Sequence, residues 1–271
     1  MPARRVVVLC DNETSDPACG CEWGLSLAID LGDSDGLWLW DTGQTALFLQ
    51  NAAALGVDAT SARGLALSHG HFDHTGGLEA LMSAGFTGAV HAHPACASAR
   101  YAKEKGKARH IGPPAPLPAF VPAGPVTQLA PGLTLITDIP REPGRFQAVQ
   151  GFSLDPAGSQ PDTVPDDSFL VLETDKGPVV ILGCCHSGLA NSLACAAERL
   201  GSRSFHAVLG GLHLYKAAPE AVAETAQALT QYAVNNLIAG HCTGPDRVEA
   251  LRSLLPGRCV HNLCAGQTWR Y

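Results

Sequence analysis

No stretch of this 271-residue sequence stays apolar for the length that a membrane crossing needs. Positive charge is also scarce: 18 Lys and Arg stand against 25 Asp and Glu, a net charge of −7, which disfavours non-specific binding to polyanions. Two arginines, Arg4 and Arg5, precede an apolar run at the start, as in a signal peptide. That run meets Asp11, Asn12 and Glu13 too early for an h-region, so a first strand and a cytoplasmic protein are expected. Cysteine is plentiful at ten, but a chain that is 46% hydrophobic needs no disulfide stapling. Neither Cys19-x-Cys21 nor Cys259-x4-Cys264 has the spacing of a zinc ribbon, so free thiols are expected.

What is present is concentrated in one place. Ser68-His69-Gly70-His71-Phe72-Asp73-His74-Thr75-Gly76-Gly77 sets four potential metal ligands within six positions, directly after the apolar run 65–67. Imidazoles with one carboxylate suit zinc, iron or manganese. The same device recurs: an apolar strand, a glycine, then a histidine. It delivers His186 after 179–182, His213 after 207–209 and His241 after 237–239. Four histidines just past strand ends predict convergence on one rim, with glycine letting the backbone turn sharply.

The remaining pattern is that of alternating strands and helices in one domain over residues 1–271. Strands are predicted at 4–9, 25–31, 37–40, 89–93, 133–136, 168–173 and 178–182, the last two as a hairpin. Helices are predicted at 44–55, capped by Gly56, at 77–84 and at 219–232. Arg100, Lys103, Lys105, Lys107 and Arg109 make the one basic cluster, either a solvated face or a holder for an anionic group. Six prolines between 112 and 125 predict a stiff extended segment, a lid or a homodimer arm. Residues 142–167 read as a long loop. His93, at the end of its strand, is a candidate for lining the substrate cavity.

His69-x-His71-x-Asp73-His74 with Gly76-Gly77 resembles the signature of the metallo-β-lactamase superfamily. The resemblance implies an α/β fold, a four-layer αββα sandwich, with two divalent metal ions at one rim, zinc ahead of manganese, iron or magnesium. His69 and His71 would hold the first, Asp73, His74 and His241 the second. Asp41, in Asp41-Thr42-Gly43, would buttress the metal loop without binding metal. The diiron branch with glutamate in place of the middle histidine is disfavoured by His71, and the acidic balance disfavours the RNA-processing branch.

The superfamily's usual mid-chain histidine is missing from 137–141, so His186 is expected to take over the third position of the first set. Cys184 stands where a bridging aspartate often lies. Asp11-Asn12-Glu13, Ile139-Pro140-Arg141, Asp166-Asp167, Gly210-Gly211-x-His213 and His241-Cys242-Thr243-Gly244 further resemble one branch of metal-dependent hydrolases. That branch is credited with joining a dihydropterin methyl group to a ribofuranosyl-aminobenzene phosphate. The resemblance therefore implies hydrolysis of an ester or phosphoester in a small anionic substrate, with the dihydropterin transfer as alternative and a non-catalytic metal or ligand sensor as a third. Asp73 would orient or deprotonate water, His213 would donate to an oxyanion, and Arg100, Lys103 and Arg109 would bind the substrate's anion.

Overall fold

Most strands of the two large sheets are apolar on both faces, which requires a cover on each side. The computed structural model describes residues 4–32, 35–104 and 106–271; residues 1–3 at the N-terminus and Lys105 of the basic cluster lie outside the described residues. Along Arg5–Cys10, Val6 and Val8 join one buried cluster while Val7 and Leu9 join another. Phe169–Leu172 splits the same way: Leu170 and Leu172 face inward, Phe169 and Val171 outward.

Two seven-stranded sheets result. The inner cluster holds Val6, Leu27, Ile29 and Trp40 from one sheet against Leu170, Val179, Ile181 and Leu209 from the other. Each such side chain contributes about 1.5–3 kcal/mol through burial. The Trp40 indole N–H donates to Leu182 O at 3.1 Å across the two sheets, so this polar group is not left bare. Outside the first sheet pack the helices Leu47–Ala54 and Leu78–Ser83, and outside the second Leu189–Leu200, Pro219–Gln231 and Pro245–Leu254. The layers are α, β, β, α.

Direction matters more than layering for the site. Leu37–Trp40, Gly64–Ala66 and Ala89–Ala92 run parallel, as do Val179–Leu182, Ala207–Gly211 and Asn236–Gly240. Parallel strands need crossovers, so within each group all C-terminal ends meet at one side.

Local chemistry accounts for the element ends. After Leu47–Ala54, Gly56 N–H donates to Ala53 O and Val57 N–H to Ala52 O, a left-handed helix stop with Gly56 at φ 69°. Nothing lies within 4 Å of a methyl group added there. Gly56→Ala is therefore expected to cost about 1–2 kcal/mol through backbone strain alone, measured as a shift in the urea midpoint at unchanged slope.

The helix predicted at 77–84 is present as Leu78–Ser83, and the structure adds to three other expectations. A further short helix, Phe72–Thr75, lies inside the metal motif. Gly76 and Gly77 fall between them, where an added Cβ would sit 2.1 Å from Gln44 O and 2.3 Å from Thr42 O. The proline-rich segment ends in an edge strand, Val121–Pro122 beside Ala89–Ala92, where a missing N–H is tolerated. The loop 142–167 contains Phe152–Ser153, which pairs with the hairpin Tyr101–Glu104 and Lys107–His110 in a third, small sheet. All ten cysteines are free thiols. Among the described residues no helix is long and apolar enough to cross a membrane.

Candidate metal centre

The chain leaves Gly64–Ala66 and bends at Gly70, whose added Cβ would lie 2.1 Å from Cys96 O. Only glycine fits there, and its N–H donates to Asp166 Oδ2 at 2.7 Å. The bend turns His69 and His71 inward together. His69 Nε2 lies 2.9 Å from His71 Nδ1 and 3.2 Å from His186 Nε2. Beside this first trio stands a second: His74 Nε2 and His241 Nε2 are 3.2 Å apart, with Asp73 Oδ2 3.5 Å from the latter. Cys184 Sγ is 3.1 Å from His74 Nε2. The six residues expected around two metals meet at one rim, despite separations of up to 172 positions between His69 and His241.

Hydrogen bonds made on the far side of each ring fix where its lone pair points. His186 Nδ1 donates to Ala148 O at 2.6 Å, His74 Nδ1 to Asp41 Oδ2 at 2.7 Å and His241 Nδ1 to Asn12 Oδ1 at 3.1 Å. In its neutral form each ring then has an unprotonated Nε2 aimed inward. Two lone pairs facing each other at 3.2 Å repel unless a cation lies between them. Metal–nitrogen bonds of about 2.0–2.1 Å would set tetrahedral nitrogens roughly 3.3 Å apart, close to the spacings seen. The donor set fits a bound divalent metal.

Charge tells the same story. Burial lowers the pKa of His69, His71, His186 and His241, with neighbouring histidines or Arg100 adding to it. These rings are neutral, as ligands must be. His74 goes the other way: burial opposes its charge, but the Asp41 and Asp73 carboxylates outweigh burial and raise its pKa. Burial raises Asp73, against the pull of His74. Among the described residues, four of the seven non-glycine residues with positive φ, Asp41, Cys185, His213 and His241, sit at these strand ends. Such backbone strain is concentrated where the geometry of a site demands it.

Asp41 is wholly buried and accepts from both His74 Nδ1 and the Ser68 N–H, each at 2.7 Å. Asp41→Asn is expected to weaken metal binding at the His74 set by about 10–100-fold and leave binding at the His69, His71 and His186 set alone, read by competition with a chromophoric chelator.

The other candidates divide. His213 borders the first trio, its ring 4.6 Å from that of His186, and burial pushes its pKa down to about 4. It is thus a neutral donor, not an imidazolium, at pH 7. Arg109 lies over the Phe72 ring at 4.9 Å and lines a cavity of about 430 Å³ with Trp23, Phe152, His213, Tyr215 and Lys216. Arg100 is wholly buried, paired with Asp162 and Asp166, and offers a substrate no solvent-facing surface. Lys103 lies against Gly158 and does not line this cavity. His93 caps a short turn through Ala95 N–H and pairs with Asp138 at 3.3 Å, also away from the cavity. Sequence reasoning missed Trp23, Phe152, Tyr215 and Lys216. They come from two loops and the two-residue strand Phe152–Ser153, none with a periodic signal, and the exposed aromatic side chains of Trp23 and Tyr215 are the one hint.

The family model described as the metallo-beta-lactamase superfamily matches residues 23–190. The chain belongs to that superfamily. It is 28% identical over 251 residues to the 7,8-dihydropterin-6-methyl-4-(beta-D-ribofuranosyl)-aminobenzene-5'-phosphate synthase of Methanocaldococcus jannaschii, covering 82% of this chain and 81% of the relative. Among solved structures, Tm1679, described as a metal-dependent hydrolase of the beta-lactamase superfamily, superposes with a TM-score of 0.84 at 27% identity over 98% of both chains. Zn(2+)-bound PqqB from Methylobacterium extorquens shares the fold, with a TM-score of 0.57 at 14% identity over 98% of this chain and 99% of that one.

Proposed function

We propose that this protein is a metal-dependent hydrolase acting on an ester or phosphoester bond of a small anionic substrate. The observation that carries this reading is the pair of adjoining ligand sets whose rings pack against Phe152, His213 and Trp23, lining residues of an open cavity that also bears Arg109 and Lys216. His69, His71 and His186 would hold one divalent ion, zinc by preference, and Asp73, His74 and His241 the other. When bound, the metal supplies a Lewis acid that polarises the scissile group and acidifies water.

The chain's own side chains do the rest. Arg109 and Lys216 attract the anionic end of the substrate. Trp23, Phe72, Phe152 and Tyr215 give its flat portion faces to stack on and keep bulk water away. Neutral His213 donates an N–H to an oxygen that gains charge, and Asp73 Oδ2 is placed to accept a proton from the attacking water.

A second reading has support of its own. The aromatic wall suits a pterin ring, and the relative named as a synthase joins a dihydropterin to an aminobenzene phosphate. In that case the same cations would hold the phosphate and no water would be consumed.

One experiment tests both. Protein stripped with a chelator and reloaded with zinc is assayed on chromogenic phosphodiesters and esters and, separately, for quenching of tryptophan fluorescence by a reduced pterin. Turnover that vanishes on chelation and returns with zinc is the expected result. Tight pterin binding with no hydrolysis of any substrate overturns the hydrolase reading in favour of the transferase. Binding of metal without either activity overturns both and leaves a sensor.

A further inference from the structure

Two buried thiols flank the second ligand set, and neither has a part in the reaction above. Cys184 Sγ lies 3.1 Å from His74 Nε2 and 3.4 Å from His241 Nε2, the two nitrogens whose lone pairs point inward. Its sulfur also groups within 4.8 Å of ligand atoms of His69 and His74, and again of His241 and Cys242. Cys184 thus stands on the edge shared by the two sets. Cys242 Sγ accepts the His213 N–H at 3.3 Å, the kind of bond that stabilises charge on sulfur. Space for it is made by Gly211, where an added Cβ would lie 2.6 Å from the same sulfur.

The next thiol along the chain shows what an ordinary core cysteine looks like here. Cys185 turns into the apolar cluster beneath the helices, meets Ser192 Oγ at 3.5 Å and belongs to no ligand group among the described residues. Adjacent cysteines on one strand end thus face opposite ways, one to the helices and one to the metal rim.

We propose that Cys184 and Cys242 give the second ligand set a pair of thiolates, which makes it selective for a thiophilic divalent cation such as zinc, ferrous iron or cobalt over magnesium and manganese. The inference rests on the reading that the centre holds metal, and not on which reaction it catalyses. Soft sulfur donors raise affinity for zinc and iron and do little for the harder ions. As each sulfur–metal bond forms, the thiol proton passes to solvent, so filling this set releases two protons that an all-histidine set would not. The two thiolates with Asp73 would also supply the negative charge that the three neutral imidazoles of the first set lack.

The test is a titration of the metal-free full-length chain with cobalt(II) under reducing, anaerobic conditions. A near-ultraviolet sulfur-to-cobalt charge-transfer band is expected with one of the two equivalents. It falls by roughly half in Cys242→Ser, where one of two soft donors is lost, and is unchanged in Cys185→Ala. Excess magnesium does not suppress it. Cobalt bound without the band overturns the proposal and leaves the metal centre standing; no cobalt bound overturns both. A band undiminished in Cys242→Ser overturns the role of Cys242. The wild-type chain provides a check that needs no variant, because Cys242 lines the open cavity. Iodoacetamide is expected to label Cys242 in the metal-free and magnesium-treated protein and to spare it with zinc, and equal labelling in all three overturns the proposal.

Discussion

His186→Ala is expected to bring the metal content from two equivalents per chain to one and to lower zinc-dependent turnover by two orders of magnitude or more. Structural zinc sites bind with about 10–16 kcal/mol shared among four ligands, so one ligand accounts for roughly 3 kcal/mol, or about a hundredfold in affinity. The loss falls on the first set alone, because His186 Nε2 approaches His69 Nε2 at 3.2 Å while His74, Asp73 and His241 keep their own contacts. Elemental analysis after gel filtration reads the stoichiometry, and the initial rate at saturating zinc reads the turnover. His186 is fully buried and bonded to Ala148 O, so its removal also costs packing. Thermal unfolding of both chains in metal-free form separates that cost from the lost ligand. Two equivalents retained in His186→Ala would mean that the first metal draws its third ligand from elsewhere.

The place of His186 at the rim was legible in the sequence for a physical reason. An apolar strand buried on both faces cannot vary in direction, and a glycine at its end fixes where the chain turns, so Val179–Leu182 followed by Gly183 leaves His186 few places to go. Ala207–Gly211 and Asn236–Gly240 carry the same information for His213 and His241. The αββα layering came from the resemblance carried by the motif at 69–77, and it accords with runs such as Phe169–Leu172 and Val179–Leu182, which are apolar at every position and need cover on both sides. What stayed hidden depends on contacts between distant loops. Arg100 has the spacing of a solvated basic run, yet its partners Asp162 and Asp166 lie 62 and 66 positions away, and nothing local marks it as buried. Asp166-Asp167 is visible as a dipeptide, but its role appears only once Gly70 N–H and His186 N–H are seen to converge on it. The cavity wall is similar: Trp23, Phe152 and Tyr215 lie outside any long amphipathic element, so periodicity has nothing to say about them.

Arg100→Ala is expected to destabilise the protein by about 3–5 kcal/mol and, separately, to weaken the first metal equivalent. The guanidinium is wholly buried, donates to Asp162 Oδ2 at 2.9 Å and to Ala95 O at 3.1 Å, and pairs with Asp166 Oδ1. Deleting one partner of a buried network strands the remaining charges, here two carboxylates, which is the source of the stability loss. The metal effect has a different path. Asp166 Oδ2 accepts the Gly70 N–H between His69 and His71, while the adjoining Asp167 accepts the His186 N–H at 3.0 Å and the Ser187 N–H at 2.7 Å. One dipeptide therefore pins the backbone on both sides of the first trio, and Arg100 fixes the dipeptide. Without it, burial drives Asp166, whose pKa is already raised, further toward its protonated form, and its hold on Gly70 slackens. A loss of about 10–100-fold in affinity is expected for the first equivalent, as for other groups that orient ligands from behind, with none for the second. Urea unfolding of the metal-free protein gives the stability term, and chelator competition at low denaturant, where the variant remains folded, gives the two affinities. Equal affinities in variant and wild type would reduce the network to a staple between loops, and a raised KM with both metals intact would restore Arg100 to the substrate.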